Sequence, residues 1–125
     1  GLECISRGAK KISFVEDDKI ALTNLKMNID SLKVEKQTII YSLNIVNFFK
    51  DIKSLGKFDI VFLDPPYKKN DFNNFLEILK KNFLSEKHIV LIHREKNSDK
   101  KFVKKLSIVE NKIYGRSEIF FLKLF

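Results

Sequence analysis

Apolar residues along this chain alternate between two rhythms. Short β-rich runs at residues 11–16 (KISFVE), 37–42 (QTIIYS), 58–64 (FDIVFLD) and 88–94 (HIVLIHR) read as strands. Between them, apolar positions three and four apart predict helices. The first helix opens the chain, with Leu2, Ile5 and Cys4 on one face and Gly8 as its C-cap. The second starts at Asp17 and Asp18, whose charges suit a helix N-terminus, and turns Ile20, Leu25, Met27 or Ile29, and Leu32 inward. A third runs from Asn44 to about Lys53. A fourth, capped by Asp71 and ending near Phe83, carries the stripe Phe72, Phe75, Leu76 and Leu79. A short amphipathic helix, SDKKFVKKL, is capped by Ser98. The last two runs, SIVENKIYG and SEIFFLKLF, meet around Gly115 and Arg116 and read as a hairpin.

Strands alternating with helices imply an α/β fold with a mostly parallel sheet, finished by an antiparallel hairpin. The near-continuous apolar character of residues 58–64 predicts burial on both faces. With 125 residues, no repeat and no linker, residues 1–125 are expected to form a single domain.

Composition narrows the setting. No apolar run approaches the length of a membrane span, and no signal-peptide pattern opens the chain. A single cysteine, Cys4, excludes an internal disulfide and fits a reducing, cytoplasmic location. The net charge of +8 suggests a polyanionic partner. Yet only three of the 24 basic residues are arginine, and richness in Lys, Asn, Ile and Phe is what an AT-rich genome imposes on most proteins. Charge alone therefore leaves nucleic-acid binding open. His88, His93 and Cys4 have no metal-ligand spacing, so no metal is expected and ordinary structural roles are. The basic run KKFVKK reads as a solvated helix face, with an RNA-phosphate role as the alternative.

Candidate chemistry gathers where strands end, since ligands of open parallel sheets bind outside the carboxyl ends of the strands. The sharpest signal is Asp64-Pro65-Pro66-Tyr67 behind the third strand. A Pro-Pro pair alone arises by chance at roughly one position in 400. The prolines fix φ, donate no hydrogen bonds and stop the strand. The corner would then present the Asp64 carboxylate and the Pro65 carbonyl as rigid acceptors beside an aromatic ring. Two such acceptors would take the N–H donors of an exocyclic base amine and aim its nitrogen at an electrophile, while Tyr67 stacks on the base. The plainer alternative is a strand terminator with a capping aspartate. Glu16, at the end of the strand after the first helix, stands where doubly wound nucleotide-binding proteins accept hydrogen bonds from ribose hydroxyls. It could equally support the helix that follows. In Ser42-Leu43-Asn44, Asn44 reads first as a helix N-cap.

Three stretches, GLECISRGAKKISFVEDD, FDIVFLDPPY and YGRSEIFF, together resemble the bacterial methyltransferases that modify a guanine N2 in 16S ribosomal RNA. The resemblance covers nearly the whole chain. It implies a Rossmann-like class I methyltransferase fold that uses S-adenosylmethionine. It also implies catalytic roles for Asp64, Pro65, Pro66 and Tyr67, with Glu16 on the cofactor ribose and Asp17 near the adenine. Asn44 stands where the family usually has an aspartate. The family's first strand and glycine-rich loop would lie upstream of Gly1, between the strands ending at Glu16 and Asp64. The segment therefore reads as N-terminally truncated and is expected to be inactive by itself. The implied partner is 16S rRNA or the assembling small subunit, with a monomer favoured. Alternatives are an adenine-N6 methyltransferase acting on DNA or RNA, and a non-catalytic RNA-binding remnant.

Overall fold

The computed structural model describes residues 1–52, 55–64, 72–97 and 107–125. Pro65, Pro66, Tyr67, the Asp71 cap and the short helix expected at residues 98–106 lie outside the described residues. Backbone contacts divide the chain into two compact units, Gly1–Lys53 and Ser54–Phe125.

The first unit contains α1 (Leu2–Ser6), β1 (Ile12–Val15), α2 (Lys19–Leu32), a single 3₁₀ turn (Glu35–Gln37), β2 (Thr38–Tyr41) and α3 (Ile45–Asp51). Strands β1 and β2 pair in parallel, from Ile12 beside Thr38 to Val15 beside Tyr41. Both long connections obey local rules. The α1 helix ends with Gly8 at a positive φ of 97°, its N–H bonded to the Ile5 carbonyl and that of Ala9 to Cys4. The α2 helix ends in the same geometry around Lys33, at φ 55°. Its inward residues are Leu22, Leu25 and Ile29, with Ile29 buried. Ile29 rather than Met27 takes the inner position, while Ile20 and Leu32 face solvent, contrary to expectation. A stripe at 22, 25 and 29 excludes positions 20 and 27, which lie on the opposite side of the helix, whereas Leu32 continues the stripe but is the last residue of α2 and stays exposed. Phe48 of α3 is also buried and meets Tyr41 edge-on, with centroids 5.3 Å apart.

The second unit contains β3 (Phe58–Leu63), α4 (Phe72–Phe83), β4 (Leu84–Glu95), β5 (Ser107–Tyr114) and β6 (Ser117–Lys123). Its four strands lie in the order β3-β4-β6-β5. The β3–β4 pair is parallel, and β6 runs antiparallel to both β4 and β5. The hairpin turns at Gly115, whose φ of 59° suits a two-residue loop. The core packs Leu76, Leu79 and Phe83 of α4 with Leu63, Leu84, Val90, Ile92, Phe120 and Leu122 of the sheet.

Two differences from the sequence reading stand out. β4 starts at Leu84, immediately behind α4, because Leu84 pairs with Phe58 and is buried. And β3 is not covered on both faces: Leu63 is buried, while Ile60 and Phe62 are each 57% exposed. α4 contacts the sheet at β4, and the face carrying residues 60 and 62 stays open. Strands β1 and β3 belong to separate sheets.

Candidate active site

In the first unit, Glu16 follows β1 directly, and its N–H donates to the Tyr41 carbonyl at 3.1 Å, extending the ladder by one rung. The side chain folds back on its own loop. Oε1 accepts from the backbone N–H groups of Asp17 and Asp18, both at 2.9 Å. Oε2 makes no hydrogen bond among the described residues. Asp18, not Asp17, caps α2, its Oδ1 accepting from the Ala21 N–H at 2.8 Å. Asp17 is exposed beside it. Across the parallel pair, Leu43 N–H also donates to the Tyr41 carbonyl, at 2.9 Å, which places the 42–44 loop beside Glu16. Asn44 caps α3 through Oδ1, which accepts from the Asn47 N–H at 2.9 Å. The capping reading of Asn44 is therefore observed, and it uses one lone pair of the amide oxygen. Glu16, Asp17 and Asn44 share the carboxyl end of the β1–β2 pair. That fits the acceptor-rich edge a nucleoside cofactor needs.

In the second unit, Asp64 follows β3 directly. Its side chain is 58% exposed and points away from the interior. Oδ1 lies 2.9 Å from Nδ1 of His93. An ionised carboxylate can only accept, so Nδ1 carries the proton of this bond. The contact follows from strand register: Leu63 pairs with Ile92, so the next residue of each parallel strand stands beside the other. Oδ2 makes no hydrogen bond among the described residues. The Pro65 carbonyl and the Tyr67 ring, expected to complete the corner, fall outside them.

The sequence reading missed His93 as a site residue because no local motif includes it. A signal was present. Asp64 and His93 are each the first polar residue after the apolar end of a strand, 60-IVFL-63 and 89-IVLI-92. The other histidine, His88, is buried and bonded to backbone. Among the described residues, no three His, Cys, Asp or Glu side chains gather as a metal centre would require, and no helix is long and apolar enough to cross a membrane.

Glu16 and Asp64 thus each stand just beyond the carboxyl end of a parallel strand, with one oxygen anchored and the other without a hydrogen bond among the described residues. Anchoring restricts the side-chain rotamer, so the open oxygen accepts a donor from a fixed direction.

A family model described as conserved hypothetical protein 95 matches residues 1–123. The ribosomal RNA small subunit methyltransferase D of Haemophilus influenzae is 33% identical over 99 residues, covering 78% of this chain and 51% of that protein. The chain spans about half the length of most curated relatives it matches. Among solved structures, a conserved hypothetical protein of Streptococcus pyogenes superposes with a TM-score of 0.81 at 29% identity, over 96% of this chain and 76% of that one. The ribosomal protein L11 methylase of Lactobacillus delbrueckii subsp. bulgaricus gives a TM-score of 0.71 at 15% identity, over 93% of this chain and 58% of that one. At that identity the likeness speaks for the fold alone, and the fold is that of class I methyltransferases.

Proposed function

The chain belongs to the family described as conserved hypothetical protein 95, and from that premise we propose that its two units form one methyltransferase domain acting on ribosomal RNA. The reaction is methyl transfer from S-adenosylmethionine to the exocyclic N2 amine of a guanine in 16S rRNA. The observation that carries this reading is the state of Asp64: an exposed carboxylate at the end of β3, held by one oxygen and open at the other.

Glu16 would hold the cofactor ribose through Oε2, since Oε1 is committed to the two amides of its own loop. Asn44 and Asp17 flank the same strand ends and would border the adenine. When bound, S-adenosylmethionine supplies a methyl group on a positively charged sulfur. The work of this chain is orientation and electrostatics. Oδ2 of Asp64 accepts one N–H of the base amine, and the Pro65 carbonyl accepts the other. The amine nitrogen is thereby held with its lone pair directed outward. The carboxylate charge favours the positive charge that develops on that nitrogen, and Tyr67 stacks on the base. The relative named for ribosomal RNA small subunit methylation supports this substrate class, and the net charge of +8 suits an RNA partner. The setting would be the cytoplasm, and the protein a monomer on its RNA or assembling subunit.

The test is methyl transfer by the intact protein from labelled S-adenosylmethionine, comparing unmethylated small-subunit RNA with duplex DNA. Digestion to nucleosides should yield labelled N2-methylguanosine from the RNA. Label in N6-methyladenosine would transfer the reading to an adenine enzyme. No label in either, with RNA binding intact, would leave a non-catalytic RNA-binding protein.

A further inference from the structure

We propose that His93 is a positioning residue for this reaction: its Nδ1–H holds Oδ1 of Asp64 so that Oδ2 stays directed at the target amine. The inference rests on the reading of Asp64 as the amine acceptor.

The argument begins with what prolines cannot do. Glu16, the comparable carboxylate at the end of β1, is anchored by the backbone N–H groups of the next two residues, at 2.9 Å each. At Asp64 the next two residues are Pro65 and Pro66, and neither has an N–H to give. The same local anchor is chemically impossible there. An exposed aspartate without one samples several rotamers, and its oxygens have no fixed direction.

The neighbouring strand supplies the missing donor. β4 pairs with β3 on one side and β6 on the other, and His93 stands opposite Ile119. Its sequence neighbours Ile92 and Arg94 are both buried. The imidazole is 26% exposed against 58% for the carboxylate it meets. A largely enclosed ring, on a strand paired along both edges, thus braces a largely open side chain. The bond joins two different elements at 2.9 Å, which suits a charge-assisted hydrogen bond. A merely structural pair at the surface would contribute little to stability. Its consequence lies in the direction of Oδ2.

The experiment compares H93A, H93N, H93Q and D64A in the intact protein. Asparagine can place an amide N–H where Nδ1 stands, whereas the donor of glutamine reaches towards the place of Nε2. H93A should lower kcat about 10–100-fold. The KM for RNA and the affinity for S-adenosylmethionine should stay within about threefold. H93N should regain most of the loss, and H93Q should not. Imidazole ¹⁵N spectra should show the His93 proton on Nδ1, with that signal displaced in D64A. Wild-type kcat in H93A, equal losses in H93N and H93Q, or a His93 signal indifferent to D64A would each overturn the proposal. If H93A does not fold, the contrast between H93N and H93Q still decides it. Full turnover in D64A would instead remove Asp64 from the chemistry, a separate failure. A dead D64A beside fully active His93 variants would defeat the role of His93 alone.

Discussion

The backbone N–H of Leu124 donates to Nε2 of His88 at 3.0 Å, while Nδ1 of the same ring donates to the Ser85 carbonyl at 2.6 Å. A backbone N–H can only donate and a carbonyl can only accept, so the two contacts together define the tautomer, with the proton on Nδ1. Lys123 Nζ donates to the carbonyl of His88 as well. The last residues of the chain are in this way tied to His88 of β4 by side-chain bonds, just beyond the Val90–Leu122 pair where the β4–β6 ladder ends.

Replacing His88 with Phe keeps a ring of comparable size and removes both polar partners. A part-buried N–H and carbonyl left unpaired together cost about 1–3 kcal/mol. His88→Phe should lower the unfolding free energy by that amount in urea titration of the intact protein. An unchanged midpoint would mean that water satisfies both groups.

The caps of α1 and α2 make a second test. Both close with the same pair of hydrogen bonds, but the left-handed position holds Gly8 in one and Lys33 in the other. A side chain in that conformation costs roughly 1–2 kcal/mol, partly offset by the greater freedom of glycine in the unfolded chain. Lys33→Gly should therefore stabilise by up to about 1 kcal/mol. Lys33→Val should destabilise. Thermal unfolding of the two variants should move in opposite directions.

Helix faces give a third contrast. Phe83 is 2% exposed and packs within the β-sheet core, whereas Met27 is 63% exposed. Phe83→Ala should cost about 3–5 kcal/mol. Met27→Ala should stay within about 0.5 kcal/mol. Comparable losses in denaturant unfolding would mean that α2 packs through a different face.

For the proposed chemistry, Asp64→Ala should abolish methyl transfer to small-subunit RNA while RNA affinity stays within a few-fold. Glu16→Ala should weaken S-adenosylmethionine binding about tenfold or more through loss of a charged acceptor. Its RNA affinity should not change. Calorimetry with cofactor, and filter binding with RNA, separate the two roles. A Glu16→Ala protein that binds the cofactor as tightly as wild type would leave Glu16 with loop support alone.

Short-range chemistry was legible directly in the chain. Gly8 and Gly115 mark a helix end and a hairpin turn because both places need a positive φ. Asp18 and Asn44 cap helices because short polar side chains reach the N–H three residues on. The acids at 16 and 64 stand at strand ends because the apolar runs stop immediately before them. These features depend on neighbours within a few positions, and local composition specifies them.

What the sequence by itself determined, then, is the order of the elements and the placing of two carboxylates at strand ends. Tertiary structure decided which atoms those carboxylates meet. Leu84 joined β4 because Phe58, 26 positions earlier, is its partner. Ile60 and Phe62 stayed open because burial depends on what covers a face, which apolar character does not reveal. Asp64 found His93 through the register of two parallel strands, across 29 positions of chain. Register is set by the packing of whole strands, so no local pattern encodes it.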